Sequence, residues 1–494
     1  MSAYASAGRA APAQDSYIPL ALVTMLAACA LGLLLVVAGG GIALLAVGGV
    51  VLIAWTFIKP VVGLYSVMVA ALLGDFHTTD LNYAAGAHLF KSLSSFGISL
   101  TPTELILVTA LAGLLVRLIF DSELHFRAGS LLVPISLLMA AVAVACVVGI
   151  SRGADMGILR QEVRGLIYLP IIYLLMTHFI TRREQMMRLM WVFVAFANVA
   201  AVENIYRYYA DITGTYNLNL SASLAFAHED SLLMAGAVIV LLARLVWSRN
   251  ILQEWKCVAL MMLPLAAMLV MHRRAGLVAL DGGVALLCLV LVREKLRTFL
   301  IVVPLALLAL GLVIAVTWNN AGSTGELARS YRAAVGSSDI SARDASSDLY
   351  RVREELNIRL NIQGDPVIGH GFGRPYTFYV PVQDLSADWP LWSSVPHNSV
   401  LWIWMDAGIL GFGALAMLFA ASVCRSMQIL RSVSTPMKPY AFAFGATIIM
   451  FFMYSWVDLG MITPRTLVLF GLALGGIGSI GYIAAAERDG DTPK

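Results

Sequence analysis

Fourteen apolar stretches recur along the chain, near residues 18–38, 41–58, 60–75, 102–120, 131–150, 160–180, 186–209, 229–247, 257–271, 275–292, 298–318, 399–424, 439–459 and 463–485. Most approach the roughly 20 residues a helix needs to cross about 30 Å of hydrocarbon. The third and ninth are the shortest. No solvent in hydrocarbon can hydrogen-bond a backbone amide, so each stretch must satisfy its own, which a helix does within one segment. Composition agrees: 60% of residues are apolar, 13% are charged and mean hydropathy is +0.82, well outside soluble usage. The expected fold is therefore an all-α polytopic membrane protein of about 14 transmembrane helices. Its organisation is residues 1–318 for eleven helices, 319–398 for a long polar segment, and 399–494 for the last three. The first 17 residues hold one Arg and one Asp and precede a span too long for a signal-peptide core, so that span is read as retained.

Lys and Arg set the orientation. With the N-terminus in the cytoplasm, 18 of the 33 fall on the cytoplasmic side. Of the other 15, seven lie in the long polar segment, which translocates largely regardless of charge, and only eight lie in short outward connections. Both termini are thus expected in the cytoplasm, with residues 319–398 facing outward.

Several function classes drop out. A net charge of +3 with no basic run interleaved with aromatics gives no footprint for nucleic acid. The five cysteines, Cys29, Cys146, Cys257, Cys288 and Cys424, lie in or at the ends of apolar segments without a CxxC pair. Neither a disulfide framework nor a zinc site is indicated, and no cofactor is expected. His228, Glu229 and Asp230 open the eighth span. Neighbouring helical residues point in different directions, so the preferred reading is a helix N-terminus complemented by its dipole rather than a metal site. Glu203, Asp406, Asp458 and Arg465 are expected to line the interior or pair with one another, and the glycines of the spans (Gly48, Gly49, Gly471, Gly475, Gly476) to mark close helix packing.

The outward segments hold the candidate chemistry. Phe76 to Thr101 shows no catalytic constellation. In the long segment, Ala342 to Gln363 carries Leu349, Val352, Leu356 and Leu360 at helical spacing, the pattern of an amphipathic helix lying on the membrane or over a cavity. A turn follows at Gly364-Asp365-Pro366, then a Gly369-His370-Gly371-Phe372-Gly373 run that is expected to be mobile. Where polar segment meets membrane stands Val395-Pro396-His397-Asn398-Ser399. Pro396 fixes φ, Asn398 or Ser399 can cap the next helix, and His397 can exchange protons near neutral pH. The plain alternative is a polar helix start that happens to hold His and Asn. His370 is a second, lower-ranked candidate base.

Positive charge gathers on the same side. His272, Arg273 and Arg274 stand between two apolar helices, with a simple polar hairpin as the alternative reading. Asp281, seven residues on and about 10 Å deeper, is expected to face the interior and brace the arginine. Arg152, Arg160 and Arg164 lie outward, as do Arg351, Arg353 and Arg359. Forked guanidinium donors suit a multiply charged anion, and at the outer leaflet that anion is a lipid phosphate or pyrophosphate.

Arg274 in an Arg-Arg-Ala-Gly step, Arg351 fifteen residues before Pro366, the Pro366-Val367-Ile368-Gly369-His370-Gly371 turn, His397-Asn398-Ser399-Val400-Leu401, and Asp406-Ala407-Gly408-Ile409-Leu410-Gly411 follow one another in order. This arrangement resembles the O-antigen ligase and O-antigen polymerase superfamily of bacterial envelope glycosyltransferases. The resemblance covers about a third of the chain, from the tenth span to the twelfth. It implies a GT-C-like, metal-independent, inverting transferase of the inner membrane, working on the periplasmic side. The donor it implies is a glycan on undecaprenyl pyrophosphate, and the acceptor another glycan or lipid A-core. Membrane lipids and a chain-length regulator are the further partners. By the same resemblance Arg274 and Arg351 bind the pyrophosphate; Arg273 and Arg164, from the outward charge cluster, and Asn398 are the further substrate-binding candidates. His397 activates the acceptor hydroxyl beside Asn398. Two departures are Glu355, where the family often has an aromatic, and Glu229-Asp230-Ser231, where it often has Asn. Fourteen spans also exceed the twelve expected of ligases. The expectation is a polymerase of surface-polysaccharide repeat units, with a ligase as alternative. A transporter is the rival class, which predicts paired repeats and broken helices that the sequence does not display.

Overall fold

A computed structural model describes residues 40–73, 99–122, 124–207, 228–248, 254–271, 273–319, 328, 342–386 and 391–489. The first expected span, 18–38, lies outside the described residues, as do His272 and most of the connection 76–101. Thirteen apolar stretches fall on helices: α1 Gly40–Ile58, α2 Pro60–Leu73, α3 Pro102–Phe120, α4 Leu132–Ser151, α5 Met156–Phe179, α6 Arg183–Arg207, α7 Asp230–Trp247, α8 Trp255–Val270, α9 Arg274–Glu294, α10 Leu296–Val316, then, after α11 Ala342–Gly364 in the polar segment, α12 Ser399–Ser432, α13 Lys438–Val457 and α14 Pro464–Asp489. Eight of the described helices are long and apolar enough to cross a membrane, and the chain is a multi-pass membrane protein.

Local chemistry sets the helix ends. α3 opens on a capping box: the Thr101 hydroxyl accepts from Glu104 N at 3.1 Å, and Thr101 N donates to Glu104 Oε2 at 2.7 Å. Asp155 caps α5 by accepting from Gly157 N and Ile158 N. Asn398 caps α12, its Oδ1 accepting from Leu401 N at 3.0 Å. The middle of the bundle is α7, α13 and α14, buried over 78%, 72% and 83% of their apolar windows, whereas α3 and α4 are buried over only 33% and present the rest outward. α14 runs along α5 with Gly471 against Ile172 and Gly475 against Met176, the close approach that small residues permit. Gly48 and Gly49 meet nothing among the described residues, so the packing role expected of them is absent there.

Two features fix the end of the bundle where α7, α9, α12 and α14 begin and α13 finishes. The first is Arg465, which is 2% exposed. Its Nε donates to the Ala71 carbonyl at 2.6 Å, satisfying an otherwise orphaned helix terminus, while its other nitrogens meet Asp230 and, at 3.7 Å, Glu229. One guanidinium thus ties the end of α2 to the start of α7, and the two acids of the eighth span are ion-paired rather than merely dipole-complemented.

The second is a break inside α12. Gly408 has φ +61°, left-handed, and the ladder is interrupted there. The run after α11 fills the gap: His370 N donates to the Met405 carbonyl at 2.7 Å, Gly371 N to the Asp406 carbonyl at 3.0 Å, and Ile409 N to the Val367 carbonyl at 3.2 Å. Non-helical backbone inside a membrane protein survives only where protein satisfies it, as here. Gly369 (φ +84°) packs directly on Gly408, and a Cβ on Gly408 would lie 2.1 Å from the Val367 carbonyl oxygen. Arg152 adds a clamp from the end of α4, donating to Asp365 at 2.8 Å and to the Gly369 carbonyl at 2.7 Å. The turn expected to be mobile is docked, because a broken helix supplies the acceptors its amides need.

Candidate functional site

α11 spans the residues expected of the amphipathic helix, but its packed face differs from the expected one. Leu349, Val352 and Leu356 are 50%, 66% and 45% exposed. The side turned to the protein buries Ile358 and Ile362 and carries a polar stripe: Asp348, Arg351, Glu354, Asn357 and Asn361 recur at intervals of three or four residues, which makes them neighbours. Asn357 donates to the Val380 carbonyl (2.8 Å) and accepts from Val380 N (2.7 Å); Asn361 does the same with Thr377 at 2.8 and 3.0 Å. These two amide clamps fix the helix on the extended segment that leads toward His397.

The remaining stripe residues each hold a candidate site residue. Asp348 accepts from Arg274 through both guanidinium branches, at 2.7 and 3.3 Å. Arg351 approaches Asp458 at 3.7 Å. Glu354, 2% exposed, faces His397 Nδ1 at 3.0 Å and accepts from the His397 backbone N–H, also at 3.0 Å. Arg274, Arg351 and His397, 123 residues apart in sequence at the extremes, are thereby gathered along about two turns of one helix. A carboxylate on Nδ1 fixes the tautomer that leaves Nε2 as the basic nitrogen. The Tyr350 ring stands edge-on to His397 with centroids 5.8 Å apart.

A second histidine faces this one. The His228 and His397 rings are 6.3 Å apart between centroids. His228 Nδ1 lies 3.1 Å from both Asp458 oxygens. Asp458, 2% exposed, also accepts from Leu459 N at 2.9 Å, and its backbone carbonyl accepts from the Ser399 hydroxyl at 2.8 Å. Burial pushes the His228 imidazole below its ordinary pKa; Asp458 pulls it up, while the charges of Arg273 and His397 press it further down. Arg273, the residue preceding α9, contributes to the positive field at this spot.

Other expected residues sit elsewhere. Arg164 is spoken for by Glu104, with Nε–Oε1 at 2.7 Å and Nη2–Oε2 at 2.8 Å, both side chains less than one-fifth exposed. It joins α5 to the capping box of α3, and no described contact links it to His397. Asp281 does not brace an arginine from the interior: it is exposed on α9, and Asp348 takes that part. Arg359 pairs with Glu355 one turn back, and Arg160 is exposed. His370 is half-buried, its Nδ1 without a partner, and burial with Arg374 and Arg152 pushes its pKa down to about 4. His228, Glu229 and Asp230 diverge, the first to Asp458 and the others to Arg465, as neighbouring positions at a helix start should.

Sequence reading missed Asp348, Glu354 and Asp458 as partners and set His228 aside. The usable signal was the polar stripe of α11, at the same period as the apolar one and interleaved with it.

Residues 257–416 match a family model described as O-antigen ligase, a range that runs from α8 through the broken half of α12 and includes Arg274, Arg351, Glu354 and His397. A curated protein named O-antigen ligase, from Salmonella typhimurium, is 39% identical over 67 residues. That alignment covers 13% of this chain and 16% of the relative, so the chain matches well under a fifth of that protein's length. Both comparisons support the O-antigen ligase and O-antigen polymerase superfamily for this chain, the resemblance that the motifs from Arg274 to Gly411 carry.

Proposed function

We propose that this chain is an inner-membrane glycosyltransferase that takes a glycan from undecaprenyl pyrophosphate and passes it to a sugar hydroxyl, lengthening a surface polysaccharide. The observation that carries the reading is the convergence of Arg274, Arg351 and His397 on the polar stripe of α11. Arg274 and Arg351, with Arg273 beside them, bind the diphosphate, whose charge their forked donors match. His397 Nε2 accepts the proton of the acceptor hydroxyl as that oxygen attacks the anomeric carbon. The bond from that carbon to the diphosphate breaks on the opposite face, and undecaprenyl pyrophosphate leaves with the bonding pair, giving inversion. Glu354 is a positioning residue: it holds Nδ1–H and stabilises the imidazolium that forms. The distribution of Lys and Arg supports a site on the periplasmic side.

The acceptor separates two versions. If it is the terminal sugar of another lipid-linked unit, the enzyme is a polymerase, the version favoured by the fourteen spans expected from the sequence. If it is lipid A-core, the enzyme is a ligase, the version favoured by the family model and by the name of the Salmonella typhimurium relative. Purified protein with lipid-pyrophosphate-linked oligosaccharide distinguishes them. A ladder of lengthening products supports the polymerase; a single shift on added lipid A-core supports the ligase. Solute uptake into vesicles with no glycan product would replace both with the transporter.

A further inference from the structure

His228 plays no part in the scheme above, yet it stands among the same residues. It sits at the start of α7, held there by the Arg465 ion pairs on Glu229 and Asp230, and its ring stands 6.3 Å from His397. Its Nδ1 is committed to Asp458, the same carboxylate that Arg351 approaches at 3.7 Å. A guanidinium assigned to the diphosphate and an imidazole therefore share one buried anion. No described residue hydrogen-bonds His228 Nε2, and 29% of the side chain is exposed.

We propose that His228 is a further ligand of the donor diphosphate, taking up a proton when the donor binds and giving a phosphate oxygen an N–H from Nε2. The reading rests on the donor assigned under Proposed function and adds a proton to its binding. Without ligand, the ring is faced by Asp458 from the end of α13, by Arg273 before α9, by His397 before α12, and through Asp458 by Arg351 on α11. Burial, with the Arg273 guanidinium nearby, outweighs the one carboxylate and holds the imidazole below its ordinary pKa, so it is neutral near pH 7. A diphosphate diester brings two negative charges into that field. An opposite charge within about 4–6 Å raises an imidazole pKa by roughly 1–3 units, so the diphosphate favours the protonated ring. The proton comes from solvent, Asp458 stays ionised on Nδ1–H, and no covalent bond changes. When undecaprenyl pyrophosphate departs, the proton leaves His228 and the site resets.

The test uses the full-length protein in lipid nanodiscs and a short polyprenyl diphosphate N-acetylglucosamine, a diester that does not itself titrate near neutrality. Its Kd is measured from pH 6 to 8.5 for wild type and for His228→Gln. The expected wild-type result is a Kd that rises up to about tenfold per pH unit across part of this range, with close to one proton taken up per probe near pH 7, read by calorimetry in buffers of different ionisation heat. The His228→Gln protein should bind more weakly at pH 6, show a flat Kd over the range and take up no proton. The calorimetric reading on wild type alone serves if the variant does not fold; no uptake there sinks the proposal. Equal slopes in the two proteins also sink it, and assign any proton to His397 instead. A probe that fails to bind at every pH removes the donor assignment itself, a separate outcome.

Discussion

Replacing Glu354 by Gln tests the heart of the site with the smallest change in shape. The carboxylate is 2% exposed and serves two donors, His397 Nδ1 at 3.0 Å and the His397 backbone N–H at 3.0 Å. Gln keeps one acceptor oxygen and puts an NH2 where the second oxygen stood. If that oxygen stays on the backbone N–H, the NH2 faces Nδ1, and the ring is driven to the tautomer with the proton on Nε2, where it cannot act as a base. If the oxygen serves Nδ1 instead, the imidazolium formed on attack loses its charged partner. A hydrogen bond to a charged group contributes about 1.5–3 kcal/mol, which converts to a roughly 10- to 150-fold loss in kcat. The full contribution of a general base, roughly 10²- to 10⁴-fold, is the ceiling. KM for the lipid-linked donor should stay within about twofold, because an interaction made only in the transition state leaves ground-state binding alone. The assay is initial-rate product formation by purified protein in nanodiscs, at saturating acceptor and varied donor, with a melting curve to verify folding. A folded Glu354→Gln protein with wild-type kcat, or one whose loss lies wholly in donor KM, would refute the reasoning.

Arg351→Ala and Arg164→Ala should separate binding from scaffolding. The first is expected to raise donor KM by about tenfold or more through loss of a charged hydrogen bond to the diphosphate, measured in the same assay. The second leaves Glu104 without its two-branched partner and should cost about 1–3 kcal/mol in thermal or denaturant stability while donor KM holds. Gly408→Ala forces a side chain into left-handed backbone and against the Val367 carbonyl, so it should destabilise by more than about 2 kcal/mol and expose the 366–373 turn to added protease. His370, with its pKa pushed down to about 4, is neutral in the fold but titrates near its ordinary value once unfolded. The unfolded chain then binds more protons between those values, so wild-type stability falls as pH drops from about 6.5 toward 4; His370→Gln should flatten that decline and leave the pH–rate profile above pH 5 unchanged.

The helical skeleton was legible because hydrocarbon leaves a chain few choices. Wherever the sequence carries an apolar stretch among the described residues, a helix stands there, and the Pro396-His397-Asn398 start became an Asn-capped helix as the residue types required. What stayed hidden depended on contacts between distant segments. The helix break at Gly408 is stable only because Val367, His370 and Gly371 supply its missing partners, and no local pattern announces that. Arg164 looked like an anion ligand until Glu104, 60 residues earlier, proved to be its partner. In α11 the regular apolar positions drew the eye to the wrong face, since Leu349, Val352 and Leu356 look outward while Asp348, Arg351 and Glu354 meet the bundle. His228 was discounted because three adjacent polar residues cannot converge on one ion. They do diverge, and it is this divergence that delivers the imidazole to Asp458.

The central claim is that His397 takes the proton from the attacking hydroxyl. The direct measurement is turnover of a lipid-pyrophosphate-linked oligosaccharide by purified His397→Ala protein that still binds the donor. The account predicts a roughly 10²- to 10⁴-fold lower rate than wild type. Turnover at the wild-type rate would contradict it.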